Sequence, residues 1–257
     1  MKWGEISLRD TGTALLDIAM PRLCVVCGRE LLLRERHICT ECLAGLPLTR
    51  FWNQSRNPMA DRLNELIQAG LGEGEFEPYA NACALFYYGT ASPYAHITPQ
   101  LKYYHNVDMG RFFAAMLGRR LCACPEFDDV DMVIPVPLHP LRRWKRGYNQ
   151  AAIIAAAIVE TYAARPDGKV PELRTDILRR VRNTGTQTAL SGEGKAANMA
   201  SAFALRRRSR EAYPHHILLV DDVFTSGSTL SACRKILRER FGAGVRISVA
   251  TLAFVGN

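Results

Sequence analysis

The sequence lacks the features that mark several classes of protein. No window reaches about eighteen uninterrupted apolar residues, so no membrane-spanning helix is predicted. The apolar residues near the N-terminus are interrupted by Glu5, Asp10 and Asp17, which argues against a signal peptide. Internal repeats and low-complexity tracts are also absent. With 48% hydrophobic and 23% charged residues among 257, we expect an ordinary globular protein of the cytoplasm that does not span a membrane.

A strong charge imbalance is lacking as well, since the formal net charge is only +8. The basic residues are concentrated in three short runs, within residues 142–146, 179–182 and 206–210. Such runs are typical either of a solvated basic face or of a surface for polyanions, such as nucleic acid or a pyrophosphate-bearing ligand. Charge alone does not separate these two interpretations.

The eight cysteines do not have the distribution of a disulfide framework. Cys24 and Cys27 form one CxxC pair, Cys39 and Cys42 form a second, and eleven residues separate the pairs. This spacing predicts four thiolates closing a tetrahedron around one structural Zn²⁺ ion, because no coordination position is left open. Redox thiols are the alternative. His37 lies beside the second pair, but four cysteines already satisfy the metal.

Hydrophobic periodicity from about residue 81 onward alternates between strand and helix. Strands are predicted at 82–88, 132–136, 217–223 and 246–254, and helices at 93–103, 109–121, 151–164 and 229–241. This order predicts an α/β fold with a parallel sheet flanked by helices, and ligands at the carboxyl ends of its strands. We expect three units: a zinc-binding module at 1–50, a polar connector at 51–80, and the α/β domain at 81–257.

The segment 217–230 carries the strongest chemical signal. A buried strand is expected to deliver Asp221 and Asp222 to its carboxyl end, and a small, hydroxyl-rich turn with Gly227 leads directly into a helix. Small residues and a helix N-terminus suit a phosphate, whereas carboxylates would repel it. The acids fit a ligand that also has sugar hydroxyls or Mg²⁺, such as a phosphorylated ribose. No GxxxxGK[ST] motif occurs, which excludes a nucleoside-triphosphatase P-loop. A merely capped helix is the alternative.

Residues 217–230 resemble the phosphoribosyl-pyrophosphate (PRPP) motif of type I phosphoribosyltransferases. The chain as a whole, over about residues 12–254, resembles the ComF family of phosphoribosyltransferase-like proteins linked to natural transformation. The resemblance also rests on the zinc pairs, Leu101-Lys102-Tyr103, Pro135-Val-Pro137, the string from Arg146 to Gln150, Arg180 with Gln187, and Asn198 ahead of Ala202-Phe203.

The resemblance implies a role for each matching position. Asp221 and Asp222 would hold the ribose hydroxyls, directly or through Mg²⁺. A pyrophosphate loop, often of unusual peptide geometry, would lie at 136–138, and a closing loop at 180–198. Lys195 stands where arginine is expected, and only arginine forms a bidentate fork. The other implied PRPP-binding residues are Val136, Pro137, Leu138, Arg143, Arg146, Thr225, Ser226, Gly227, Ser228 and Thr229.

Three functions are compatible with these features. The family resemblance favours DNA uptake, with PRPP as ligand and single-stranded DNA stacked on Tyr103, Tyr104, Trp144 and Tyr148 beside arginine runs. Rim packing is the plainer explanation of those aromatics. The second function is pentosyl transfer from PRPP to a nitrogen acceptor in nucleotide metabolism, although no acceptor pocket is recognisable. The third is PRPP sensing without turnover. Transformation implies a helicase or channel protein as a partner, and the sequence does not determine the oligomeric state.

Overall fold

Five parallel strands form the central sheet, in the spatial order β1-β7-β6-β2-β3. The computed structural model describes residues 21–103, 106–166, 169–182, 202–206 and 213–256. The strands of the sheet are β1 (Ala82–Tyr87), β2 (Met132–Pro135), β3 (Glu172–Leu173), β6 (His216–Phe224) and β7 (Arg246–Phe254). Two short strands, β4 (Leu178–Arg180) and β5 (Phe203–Leu205), pair antiparallel as a separate ribbon. The predicted α/β fold with a parallel sheet flanked by helices is confirmed.

Helices precede β1 and connect the parallel strands that follow it. They are α1 (Thr40–Ala44), α2 (Pro58–Gln68), α3 (Ile97–Tyr103), α4 (Val107–Cys122), α5 (Pro140–Arg146), α6 (Gln150–Ala163) and α7 (Ser228–Phe241), with 3-10 turns at Phe51–Asn53 and Pro93–His96. None of them, within the described part of the chain, has the length and hydropathy needed to cross a membrane.

The core lies on both faces of the sheet. β6 and β7 are buried along nearly their whole length, as expected of central parallel strands covered on both faces. Strand β6 is flanked by β7 on one side and by β2 on the other. It therefore brings its two acids, Asp221 and Asp222, and the turn that follows them to the middle of the sheet's carboxyl edge.

The segment 51–80, expected as a polar connector, contains the helix α2. Met59, Leu63 and Ile67 recur every four residues and are buried, so that α2 packs on β1 and α7. Asn57 caps the helix by accepting a hydrogen bond from the N–H of Ala60. The sequence interpretation missed this helix because its exposed face is polar and glycines follow it.

The cysteine-bearing residues 21–50 pack against the edge strand β1. The backbone N–H of Thr49 donates to the carbonyl of Leu85, and the N–H of Tyr87 donates to the carbonyl of Pro47. The division of the chain into units at residues 50 and 80 stays a prediction.

Candidate functional site

The carboxyl ends of β2 and β6 bring the two predicted ligand loops side by side. The strands are paired in parallel, and the N–H of Val136 donates to the carbonyl of Val220 over 2.8 Å. Residues 136–138 therefore leave the sheet next to Asp221 and Asp222. Parallel pairing makes this juxtaposition, since it places the two loops at the same edge.

The turn from β6 into α7 depends on Gly227. Its φ is +80°, and a Cβ there would lie 2.6 Å from Cζ of Phe224 and 3.0 Å from Cδ1 of Leu66. Only glycine satisfies both conditions. Gly227 is also the N-cap of α7 and has no side chain to accept from the first turn of the helix. The hydroxyls of Ser226 and Ser228 lie 3.0 Å apart beside it.

A cavity of about 260 Å³ opens beside this edge. It is bounded by the start of α6, the end of α3, the loop after β2 and the end of β6. Four basic and two acidic side chains share it, which gives a net positive charge. The lining residues are Lys102, Tyr103, Val136, Pro137, Leu138, Arg142, Arg146, Asn149, Gln150, Ala151, Arg180, Asp221, Asp222 and Thr229.

The two acids have different surroundings. Lys102 Nζ lies 2.6 Å from Asp222 Oδ2, and the backbone N–H of Asp222 donates to Asp221 Oδ1 over 2.9 Å. Burial, and after it the charge of Asp222, raises the pKa of Asp221 to about 8. Burial alone would lower the pKa of Lys102, but its pairing with Asp222 outweighs burial and the pKa is raised. Lys102 is therefore charged at neutral pH.

The remaining basic residues line the opposite wall of the cavity. Arg146 Nη1 donates to Gln150 Oε1 over 3.1 Å, and Asn149 Nδ2 donates to the carbonyl of Val136 over 2.9 Å. Burial, and then the charge of Arg142, lowers the pKa of Arg180. A guanidinium remains protonated despite such a shift. Gln150 Nε2 is buried without a hydrogen-bond acceptor, so a donor remains for a ligand oxygen.

Helix α5 has an inner and an outer face. Arg142 and Arg146 line the cavity, whereas Trp144, with 83% of its surface exposed, stands on the outside among basic neighbours. Tyr103 is 64% exposed, and the guanidinium of Arg146 lies over its ring at 5.2 Å from the centroid. These residues form a basic and aromatic surface at the mouth of the cavity. We call it the α5 face: Tyr103, Arg143, Trp144, Lys145 and Arg146.

The four paired cysteines form one cluster. The sulfurs of Cys24, Cys27, Cys39 and Cys42 lie within 4.8 Å of one another, and those of Cys27 and Cys39 are 3.8 Å apart. A tetrahedral Zn²⁺ site with bonds of about 2.3 Å has sulfurs roughly 3.8 Å apart, so the cluster can hold a metal ion such as zinc. His37 is not a member of the cluster.

The local backbone favours the thiolate of Cys24, whereas burial raises the pKa of Cys42. Burial alone raises the pKa of the Cys24 thiol, but backbone N–H groups of Cys27 and Cys39 help to lower it to about 6. The N–H of Cys39 lies 3.4 Å from Cys24 Sγ, and that of Cys42 lies 3.4 Å from Cys39 Sγ. The Tyr94 hydroxyl donates to the carbonyl of Cys42 and ties the cluster to the turn before α3.

Comparisons with known proteins point in one direction. Competence protein F of Haemophilus influenzae is 38% identical to this chain over 109 residues, which are 42% of this chain and 44% of that protein. DNA utilization protein YhgH of Salmonella typhi is 23% identical over 244 residues, 90% of this chain and 96% of that protein. Competence protein ComFC of Streptococcus pneumoniae is 25% identical over 129 residues, 50% of each chain.

The chain is thus similar to competence and DNA utilization proteins, which supports its resemblance to the ComF family. It spans less than half of the Haemophilus relative and half of the Streptococcus relative in these matches. No family model matches the chain.

The ComF resemblance predicted a set of site residues that the structure brings together only in part. Seven of the predicted residues line the cavity: Val136, Pro137, Leu138, Arg146, Asp221, Asp222 and Thr229. Arg143 points away on the exposed side of α5, and Thr225, Ser226, Gly227 and Ser228 form the adjoining turn without lining the cavity. All peptide bonds of the described residues are trans, including those of the loop at 136–138.

Sequence reasoning did not assign four polar residues of this cavity to the ligand. They come from three separate parts of the chain and meet only at the sheet edge: Lys102, then Arg142 and Gln150, then Arg180. Lys102, Gln150 and Arg180 belong to segments on which the resemblance to the ComF family rests, so that resemblance could have identified them. For Arg142 the only sequence signal was its place in a basic run. Tyr104, Lys195 and most of the expected closing loop, residues 183–198, lie outside the described residues.

Proposed function

We propose that this chain is a ComF-family protein that acts in DNA uptake, binds PRPP with Mg²⁺ in the cavity, and handles single-stranded DNA on the α5 face. The observation that carries the proposal is the cavity itself. Two adjacent carboxylates and four cations meet at the carboxyl edge of a parallel sheet, beside an uncapped helix N-terminus. A phosphorylated sugar with a pyrophosphate group and a metal needs all three features.

Each part of PRPP has a partner in this arrangement. Asp221 and Asp222 would accept from the ribose hydroxyls or hold Mg²⁺, whose charge would neutralise pyrophosphate oxygens. The turn at 225–229 would take the 5′-phosphate, because backbone N–H groups of the first turn of α7 bind anions. Arg142, Arg146 and Arg180 would face the pyrophosphate. Gln150 Nε2 would donate to a ligand oxygen.

The role in DNA uptake is supported by what the relatives are called. Three of them are named as competence or DNA utilization proteins, and one of these matches along 90% of this chain. The cytoplasmic side of an uptake system, with a helicase or channel protein as neighbour, is the setting that we propose. An incoming strand there would be single.

The α5 face has the chemistry of a single-strand binding surface. Exposed aromatic rings stack on bases of any sequence, and basic side chains contact the phosphates. Trp144 and Tyr103 supply the rings, and Arg143 and Lys145 supply exposed charges beside them.

Pentosyl transfer is the second candidate function. The arginines on the pyrophosphate side of the cavity favour it, because transfer requires stabilisation of the leaving group. A bond would form between an acceptor nitrogen and C1 of the ribose while the bond from C1 to the pyrophosphate oxygen breaks. Pyrophosphate would leave with the electron pair. Sensing of PRPP without turnover uses the same contacts and yields no pyrophosphate.

We also propose that the metal in the cysteine cluster is a structural Zn²⁺ ion. Four protein sulfurs complete its tetrahedron, so no position remains for a substrate. The cluster joins segments 24–27 and 39–42 of a small unit whose own apolar core is limited.

Calorimetric titration with PRPP, with and without Mg²⁺, tests the proposed ligand. We expect Mg²⁺-dependent binding to the wild-type protein and a loss of at least about tenfold in affinity in Asp222→Asn, because the substitution removes a ligand charge. Asp128→Asn, on an exposed aspartate before the amino end of β2, is the matched control and should bind as the wild type does.

Equal affinities in wild type and Asp222→Asn would overturn the site assignment. Pyrophosphate release in the presence of free bases or amines would favour transfer over sensing. Binding without any release would favour the ligand or sensor role.

A further inference from the structure

Lys102 occupies a position that the proposed function leaves unexplained. Its ammonium lies 2.6 Å from Asp222 Oδ2, the carboxylate that would otherwise meet a metal or a ribose hydroxyl. Both side chains are largely buried, with 26% of Lys102 and 13% of Asp222 exposed. At this distance and degree of burial the attraction is much stronger than between surface charges.

The fold holds Lys102 at this place. The preceding residue, Leu101, is fully buried and packs so closely on α4 that a Cβ at Gly110 would lie 2.5 Å from its Cδ1. The hydroxyl of Tyr148 donates to the carbonyl of Leu101 over 2.5 Å. The end of α3 is thus attached to α4 and to the start of α6. The ion pair is part of a fixed arrangement rather than a chance contact of a mobile surface lysine.

We propose that Lys102 is an internal counter-ion that keeps a bare divalent cation off Asp221 and Asp222 and admits the metal only as a complex with a polyanionic ligand. The inference rests on the proposed function and deepens it, since it names the species that binds. Lys102 holds Asp222 until the ligand arrives. Its ammonium then pairs with phosphate oxygens and releases Asp222 to the metal or the sugar.

The charges around the cavity favour this order of events. Four cations and two carboxylates line the cavity, so a free Mg²⁺ ion would join a net positive charge. A pyrophosphate-bearing ligand carries more negative charge than one Mg²⁺ ion neutralises, and its complex is attracted. Because the pairing with Asp222 raises the pKa of Lys102, the ammonium remains charged in the ligand-free site.

Titration with Mn²⁺ alone, followed by the loss of the free-ion electron paramagnetic resonance signal, tests the inference. Lys102→Met should bind Mn²⁺ at the cavity at least about tenfold more tightly than the wild type, because one repelling charge is removed. Adding Asp222→Asn to Lys102→Met should abolish the gain. Lys169→Met, on an exposed lysine before β3 that does not line the cavity, removes the same charge without touching the ion pair and should bind as the wild type does.

Two results would overturn the inference: equal Mn²⁺ affinities in the wild type and Lys102→Met, or the same gain in Lys169→Met. Lys102→Arg keeps the charge and should exclude Mn²⁺, so a gain there would also contradict it. If Lys102→Met does not fold, as judged by its thermal unfolding, Lys102→Gln takes its place.

A parallel titration with Mg²⁺ and PRPP separates this inference from the proposed function. Absence of PRPP binding to the wild type, together with a Mn²⁺ gain in Lys102→Met, would reject PRPP as ligand and leave the counter-ion role intact. PRPP binding to the wild type, without any gain in Mn²⁺ affinity in Lys102→Met, would support PRPP as ligand and reject the counter-ion role.

Discussion

Asp221 and Asp222 are neighbours in the chain, yet their side chains meet different surroundings. Asp222 pairs with Lys102, whereas burial and the neighbouring charge raise the pKa of Asp221 to about 8. Two carboxylates this close repel each other when both are ionised, and this repulsion adds to the effect of burial on the pKa of Asp221. The sequence indicated two acids at a strand end. Their different surroundings depend on a lysine 120 residues away from Asp222 in the chain.

Gly227 is the residue at which the geometry of the loop is most sharply constrained. We expect Gly227→Ala to lose stability twice over, through backbone strain at φ +80° and through overlap of the new Cβ with Phe224 and Leu66. Gly74→Ala has the same φ and open space around it, so it isolates the strain. Urea unfolding should show Gly227→Ala about 1–3 kcal/mol less stable than Gly74→Ala. Equal losses of stability in the two variants would mean that the loop shifts to accommodate the new Cβ.

At the scale of elements, periodicity located the long strands and helices well. The eight elements predicted from residue 81 onward are all present, and their ends agree within a few residues. The missed elements are short or polar. Helix α5 has seven residues, four of them basic, and β3 has two residues. Such segments have no periodic signal of their own and are formed because the sheet and α6 position them.

The cysteine cluster is the part of the fold that the proposed Zn²⁺ ion would stabilise. Cys39→Ser should remove one ligand, release the metal and lower the melting temperature by several degrees, since about 1 kcal/mol corresponds to roughly 2–4 °C in a chain of this size. Zinc analysis of the purified protein and thermal unfolding measure both effects. Cys122→Ser, on a cysteine beside Thr161 and outside the cluster, should keep the metal. A metal-free wild type that melts normally would contradict the structural role.

At the scale of the whole molecule, the distribution of charge matters more than the net charge of +8. One basic run contributes to both the cavity and the α5 face. Arg142 and Arg146, about one helical turn apart, line the cavity, and the three residues between them are exposed. Arg180, from a second run, reaches the same cavity from the ribbon of β4 and β5. The basic runs predicted a surface for polyanions in general. The structure has two adjacent candidate sites, the cavity and the α5 face, and both include residues of α5.

The α5 face predicts a specific effect on DNA binding. Trp144→Ala should weaken the binding of single-stranded DNA by about 1–3 kcal/mol, the contribution of one base stacked on an aromatic ring. The salt dependence should not change, because the substitution removes no charge. Phe76→Ala removes another aromatic residue, 81% exposed and outside the α5 face, and serves as the control. Fluorescence anisotropy with a labelled oligonucleotide measures both, and unchanged binding by Trp144→Ala would remove this face from the proposal.

The sequence by itself determined the parallel α/β sheet, the four cysteines that can hold a metal ion and the turn of small residues after a pair of acids. Each of these depends on local spacing: hydrophobic period, CxxC separation, or the order of strand, turn and helix. Only the tertiary structure decided which cations face the acids. Parallel pairing of β2 with β6 gathers distant segments at one edge of the sheet, and Asp221 and Asp222 therefore share the cavity with four cations: Lys102, Arg142, Arg146 and Arg180. This arrangement depends on how the elements pack, so no local sequence pattern predicts it.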